Sequence, residues 1–399
     1  MEMPDAGHYR NKRALATLGL GTAALFVLGL MYAWSLYADF LDLGRAESSF
    51  VFSTALCLFC VGSLLAARIT ARFTVRATVA VSAALLLIGF LCLAFFAKCA
   101  FWVPWMSFGL LFGTSCGIGY NAIVTSVNGW YPGRSGFASG ILLLGFGLSA
   151  LLLGEATHLS LDAFGWHATF CVLAVGGAAV LLVYAFWYRP PTRRASPKEQ
   201  AKQKAAFNFR DYLKADLLLF YFWRIIVLGG CITLVGASSS EALLLGASPL
   251  TASLLVGFVA TSNGASRIVT GLVFDRTNIR VVMVLTTSLA LASLACITLA
   301  FLFGNLPLFI GAAVAVGFAY GSLPVISATY SRVRFGEAEY ATGLAILNSN
   351  VAFGSFLSMA FVAAFGTGAD RFALYAALFV AAVVAALFLL AFLAKSRQA

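Results

Sequence analysis

Residues Thr251 to Arg280 read TASLLVGFVATSNGASRIVTGLVFDRTNIR. Most of the stretch is apolar or small, yet Arg267 lies inside it, and Asp275, Arg276 and Arg280 close it. An α-helix rises about 1.5 Å per residue, which sets Arg267 about 12 Å in from Asp275. If this helix crosses a membrane, that depth is hydrocarbon. A lone cation there costs at least about 2.5 kcal/mol, so the side chain needs a polar cavity or a partner. Asn263 is four residues earlier, on the same helical face. The spacing leads to the expectation that Arg267 lines a pathway and holds an anionic solute.

The composition places the whole chain in the membrane class. Of 399 residues 61% are hydrophobic and 10% charged, with a mean hydropathy of +0.94. A water-soluble core cannot absorb that much apolar surface. Twelve apolar windows are long enough to cross a hydrocarbon layer of about 30 Å. They run approximately over 14–40, 48–67, 77–97, 101–128, 136–157, 166–188, 214–239, 250–273, 281–303, 306–331, 339–366 and 372–394.

The formal net charge of +11 suggests nucleic acid until the positives are located. Of 26 Lys and Arg, 21 fall in the termini and alternate loops: Arg10, Lys12, Arg13; Arg68, Arg72, Arg76; Arg134; Arg189 to Lys214; Arg276, Arg280; Arg332, Arg334; Lys395, Arg397. The opposite loops hold Arg45, Lys98 and Arg371. This asymmetry puts both termini in the cytoplasm, across an inner or plasma membrane, and requires an even number of spans. The basic patches are topology signals with some affinity for anionic lipid. A nucleic-acid partner is not expected.

Eight cysteines lie in or beside apolar segments, and the Cys57-x-x-Cys60 pair has no second pair or His cluster to complete a metal site, so packing accounts for it. No Gly-rich phosphate loop or Ser/His/Asp set appears, and His8, His158 and His167 sit at loop or terminal positions. An enzyme, a cofactor and a metal are therefore not expected. The N-terminus shows no cleavable signal pattern, so the first apolar run is read as a retained span.

The stretch RPPTRRASPKEQAKQKAAFNFR, Arg189 to Arg210, separates six spans from six. It divides the chain into an N-terminal six-helix bundle, 1–188, a cytoplasmic linker, 189–212, and a C-terminal six-helix bundle, 213–399. The halves repeat. Arg72 and Arg76 recur as Arg276 and Arg280, 204 positions on, and Gly117-Ile118-Gly119-Tyr120 recurs as Gly317-Phe318-Ala319-Tyr320, 200 positions on. The expected fold class is an all-α membrane protein, twelve transmembrane helices as two pseudo-symmetric bundles that rock about a central site.

Two such halves, a basic central loop and G-x-x-x-D-R-x-x-x-R over Gly271, Asp275, Arg276 and Arg280 resemble the major facilitator superfamily, where this loop motif forms a cytoplasmic latch. The first-half copy departs from it, with Ala67, Ala71 and Thr74 in place of Gly, Asp and Gly. Within that superfamily the chain resembles the oxalate:formate antiporter and monocarboxylate transporter-like branch. The residues that carry the likeness are Tyr32 to Tyr37, Gly119-Tyr120-Asn121, Asn128 to Pro132, Gly136 to Ile141, Gly145 to Leu148 and Asn263 to Arg267.

The resemblance implies that Arg267 binds a substrate carboxylate, for which a permanently charged planar fork is well suited. It implies that Tyr32, Tyr120, Phe146 and Tyr320 close the cavity around the ligand. A lysine that the branch's oxalate carriers use in span 11 is missing, with Ser349 nearest its place, while Asn348 and Asn350 remain as neutral donors. One fixed charge balances one negative charge, so the expected cargo is a small organic anion, a monocarboxylate. Arg224, near Lys214 and Asp216, is expected to snorkel to the cytoplasmic interface. Related proton-coupled carriers place an aspartate where Asn263 stands, and a carboxamide does not titrate. Asp39, Glu155 and Glu241 are the other candidates for proton exchange, near outer helix ends where carboxylates are commonly solvated. The partners expected are thus the anion, the bilayer, and a coupling proton or counter-anion, with the chain acting as a monomer. The alternatives are a proton-coupled or uncoupled carrier of another small solute, or a non-transporting sensor of the same fold.

Overall fold

Apolar runs of this length fold as helices because hydrocarbon offers backbone N–H and C=O groups no partners, and a helix satisfies them within the segment. The computed structural model describes residues 5–41, 43, 45–191, 214–365 and 371–395. Most of the expected linker, 189–212, lies outside those described, from residue 192 onward. α1, Asp5–Leu28, passes through a 3-10 stretch, Gly29–Ala33, into Trp34–Phe40. α2 is Arg45–Arg72 and α3 Val75–Phe96. α4, Trp102–Asn128, contains a π-helical stretch at Trp105–Phe112. α5, Ser135–Thr157, and α6, Leu159–Trp187, belong to one helical run interrupted at Gly165, whose φ of 77° suits glycine. α7 is Ala215–Leu244, α8 Pro249–Arg276 and α9 Ile279–Phe303. α10 is Leu306–Glu337, with a second such glycine, Gly336 at φ 68°, breaking the helical path near its end, α11 is Glu339–Phe365 and α12 is Phe372–Lys395.

Eleven helices among the described residues are long and apolar enough to cross a membrane. The expected eighth span is α8, whose 28 residues reach about 42 Å. Thr261, Ser262, Asn263, Ser266, Arg267 and Thr270 dilute its apolar character. Large apolar side chains point outward, as Val172 at 69%, Val183 at 53% and Leu387 at 60% exposure illustrate. Inward faces carry small residues that let backbones meet. At Gly113 and Gly117 of α4 an added Cβ would collide with the backbone of Ala55 and Phe59 in α2.

The repeat extends to the helix caps. Thr74 caps α3 by accepting from the Ala77 N–H at 3.1 Å, and Asn278, 204 positions on, caps α9 by accepting from Arg280 and Val281 N–H at 2.9 and 3.2 Å. Thr74, which departs from the family's loop motif, thus has a structural task of its own.

By internal packing the chain forms two units, Met1–Gln203 with Ser331–Ser349, and Lys204–Tyr330 with Asn350–Ala399. The first unit includes a piece of the second repeat, and side chains hold it there. Asn121 Nδ2 donates to Ser63 Oγ at 2.9 Å and to the Ala341 carbonyl at 2.8 Å. Asn128 Nδ2 donates to Ser139 Oγ and to the Tyr340 hydroxyl, both at 2.9 Å. Arg332 donates to the Asn128 carbonyl and to Glu337 Oε1, the latter at 2.9 Å.

Candidate functional site

In the second unit, Arg267 is 4% exposed. Its Nε and Nη2 both donate to Asn263 Oδ1, each at 3.3 Å. The i to i+4 spacing brings the two side chains over one another, and the shared acceptor fixes the plane of the guanidinium. Asn263 is neutral, so it orients the charge without cancelling it.

Close packing of α10 on α8 sets the level of this pair. Ser262 Oγ donates to the Val314 carbonyl and Thr270 Oγ1 to Ser322 Oγ, both at 2.8 Å. Between them a Cβ on Gly321 would strike Asn263 and Ser266, so only glycine permits the approach. Tyr320 precedes that glycine, near the height of Asn263.

Arg224 overturns the expectation that it snorkels. It is 1% exposed and lies about 13 Å along α7 from its start, enclosed by protein where a snorkelling side chain would reach water. The register of α7 on α11 gives it a neighbour. Thr233 Oγ1 lies 2.7 Å from Ser358 Oγ, and a Cβ on Gly354 would touch the Leu228 side chain at 2.8 Å. One turn back along both helices, Arg224 stands level with Asn350. That asparagine is fully buried, and neither of its amide atoms has a hydrogen-bond partner among the described residues. Glu241 is also a correction. Instead of a solvated carboxylate it is 3% exposed, and its Oε1 pairs with Arg371 Nε at 3.4 Å. Glu155 is exposed as expected, and the Asp39 side chain lies outside those described.

The first unit gathers three of the four expected aromatics. Tyr32 meets Phe146 edge-on at 5.5 Å between centroids, Phe146 meets Tyr120 at 5.4 Å, and Tyr120 meets Phe59 at 5.3 Å. Such T-shaped pairs add about 0.5–1.5 kcal/mol each to their burial. Tyr32, 37% exposed, sits in the 3-10 stretch of α1, where a Cβ on Gly29 would collide with the Phe146 carbonyl. That close approach is what sets Tyr32 against Phe146. Phe59 was missed because nothing in its sequence context distinguishes it from the chain's other phenylalanines.

Asn348 belongs to this unit. It is 3% exposed, its Nδ2 has no partner among the described residues, and its carbonyl accepts from Cys60 Sγ at 3.6 Å. The α11 backbone is interrupted at Ser349, whose N–H and Oγ both donate to the Ile346 carbonyl, at 3.2 and 2.6 Å. Such side-chain competition with the backbone accounts for the break. An unmatched buried amide group such as that of Asn348 costs about 1–3 kcal/mol.

At the turn after α8, Gly271 is buried, Asp275 half-buried, and Arg276 and Arg280 exposed. All eight cysteines are free thiols. Among the described residues no group of three or more His, Cys, Asp or Glu side chains is placed to hold a metal ion.

A family model described as the Major Facilitator Superfamily matches residues 14–359. An "Uncharacterized MFS-type transporter YhjX" from Escherichia coli (strain K12) is 25% identical over 289 residues, covering 69% of this chain and 70% of that protein. "Monocarboxylate transporter 11" from Homo sapiens is 26% identical over 269 residues, 66% of this chain and 55% of that protein, so the chain spans little more than half of its length. Among solved structures, the proton:xylose symporter XylE bound to 6-bromo-6-deoxy-D-glucose is similar with a TM-score of 0.71 at 16% identity, covering 96% of each chain. The fucose:proton symporter FucP of E. coli follows at a TM-score of 0.61 and 12% identity, over 94% of this chain and 99% of that one. At these identities the structural likeness concerns the fold alone.

Proposed function

Because the chain belongs to the Major Facilitator Superfamily, we propose that this multi-pass membrane transporter moves a small organic anion, a monocarboxylate, by alternating access. The observation that carries the reading is the guanidinium of Arg267, buried within a membrane-length helix and oriented by the neutral Asn263. A carboxylate meets such a fork with two charge-assisted hydrogen bonds, each worth about 1.5–3 kcal/mol. Asn263 holds the fork ready, so little orientation remains to be fixed when the anion arrives. The likeness to a protein called a monocarboxylate transporter supports the same cargo.

In this proposal Tyr32, Tyr120, Phe146 and Tyr320 give the ligand apolar walls, while Asn348 and Asn350 supply neutral donors. Gly271, Asp275, Arg276 and Arg280 act as a latch on the cytoplasmic side, where both termini lie, across an inner or plasma membrane. With Asn263 unable to titrate, exchange against a second anion or uncoupled flux accounts for transport more simply than proton symport.

Arg224 supports a second reading. Its burial level with Asn350 offers a second positive group, and a dianion such as oxalate would use both. Reconstituted proteoliposomes presented with labelled formate, lactate, pyruvate and oxalate, with and without a proton gradient, separate the readings. Monocarboxylates saturating ahead of oxalate support the first, and fast oxalate exchange supports the second. Saturable binding with no flux of any of them would favour a sensor.

A further inference from the structure

A cavity of about 150 Å³ lies in the first unit, lined by Arg13, Thr17, Trp130, Phe186, Trp187 and Arg189. On this measure one water needs about 10–15 Å³, so a group the size of a phosphate has room. Among the described residues that line it are two arginines and no Asp or Glu. The arginines come from separate places, Arg13 from the first part of α1 and Arg189 from just beyond α6. Local hydrogen bonds hold both backbones: Trp130 Nε1 donates to the Arg189 carbonyl at 3.1 Å, and Thr17 Oγ1 to the Arg13 carbonyl at 2.8 Å. Next to Arg189, the Tyr188 carbonyl accepts from Arg76 Nε at 2.9 Å.

One flank is apolar and open. Phe186 is 77% and Trp187 51% exposed, at the last residues of a long apolar helix. Tryptophan favours the boundary between hydrocarbon and head groups, and the charge distribution assigns this side to the cytoplasm, where anionic lipids collect basic clusters. Arginine is the residue whose planar fork fits phosphoryl oxygens in pairs. We propose that this cavity is a binding site for a phosphoryl group, that of an anionic phospholipid whose acyl chains lie along Phe186 and Trp187. A free phosphate shares the chemistry of the head group but has no use for the apolar flank.

The test is thermal unfolding of the full chain in detergent, titrated separately with phosphatidylglycerol, phosphatidylcholine and inorganic phosphate. Phosphatidylglycerol is expected to raise the unfolding temperature saturably, and phosphatidylcholine is not. The pair Arg13→Gln/Arg189→Gln should raise the half-saturating lipid concentration about 25-fold, about five-fold per arginine, while Arg134→Gln, outside the cavity, should not. Should the Gln pair fail to fold, Arg13→Lys/Arg189→Lys keeps the charge without the fork and is expected to need more lipid than the unaltered protein. Inorganic phosphate binding as tightly as phosphatidylglycerol would overturn the lipid assignment. A lipid response that is absent, or indifferent to both arginine pairs, would overturn the site.

Discussion

Asn263→Asp replaces one atom group beside the proposed anchor and tests how Arg267 is held. In the protein as it stands, Asn263 Oδ1 accepts two guanidinium hydrogen bonds at 3.3 Å each and carries no charge. An ionised carboxylate in its place pairs with the guanidinium. At about 4 Å and an effective dielectric of about 20 that attraction is about 4 kcal/mol. Desolvating the new carboxylate takes back part of it, leaving a net of about 2–3 kcal/mol by which the cargo is outcompeted. Affinity for a monocarboxylate at neutral pH should therefore fall by about 30- to 150-fold. Two carboxylates now compete for one fork, so a proton must neutralise the protein's own before the cargo binds well. The guanidinium favours the ionised form and holds that carboxylate below the usual carboxylate range, so acidification to about pH 5 does not free the fork and uptake stays low across the range. The assay is initial uptake into proteoliposomes between about pH 5 and 8, where the cargo itself stays mostly ionised above about pH 5. A variant whose uptake equals that of the unaltered protein at every pH would refute the placement of Asn263 against the substrate-binding fork.

Gly321→Ala should wedge α10 from α8 at the level of Asn263, because the added methyl meets Asn263 and Ser266. Overpacking of this kind costs about 1–3 kcal/mol, visible as a lower unfolding temperature in detergent, and an unchanged temperature would contradict the packing described. Arg224→Gln is expected to leave monocarboxylate counterflow in place while Arg267→Gln removes it, and the reverse result would move the anchor to α7. Tyr340→Phe removes the hydroxyl that accepts from Asn128 Nδ2, a bond worth about 1 kcal/mol. If alternating access requires the Ser331–Ser349 segment to leave the first unit, a variant retaining Cys60 as its sole cysteine should then react with maleimide about five-fold faster, since the Asn348 carbonyl covers that thiol. An unchanged rate would separate this hydrogen bond from the motion.

The order of spans was legible because hydrocarbon imposes one rule on every segment, and the apolar runs obey it. The pairing of Asn263 with Arg267 was legible for an equally local reason, four residues being one turn. Arg224 was misread because a flanking Lys214 and Asp216 suggested an interface, whereas α7 begins at Ala215 and carries the arginine well past it. Glu241 was misread for the same kind of reason: proximity to a helix end in sequence said nothing of Arg371, 130 residues away, which pairs with it in its buried position. The 3-10 stretch under Tyr32 depends on how closely Gly29 approaches Phe146 in another helix. Likewise the bonds from Asn121 and Asn128 to Ala341 and Tyr340 join positions more than 200 residues apart, and no local pattern announces them.

The central claim is that one buried guanidinium holds the cargo's negative charge. Its most direct measurement is counterflow of labelled monocarboxylate into preloaded proteoliposomes, comparing the unaltered protein with Arg267→Gln at matched amounts of folded protein. Losing two charge-assisted hydrogen bonds removes about 3 kcal/mol or more of binding, so the account predicts that exchange falls at least about 100-fold. Exchange that persists at the unaltered rate with glutamine at position 267 would contradict it.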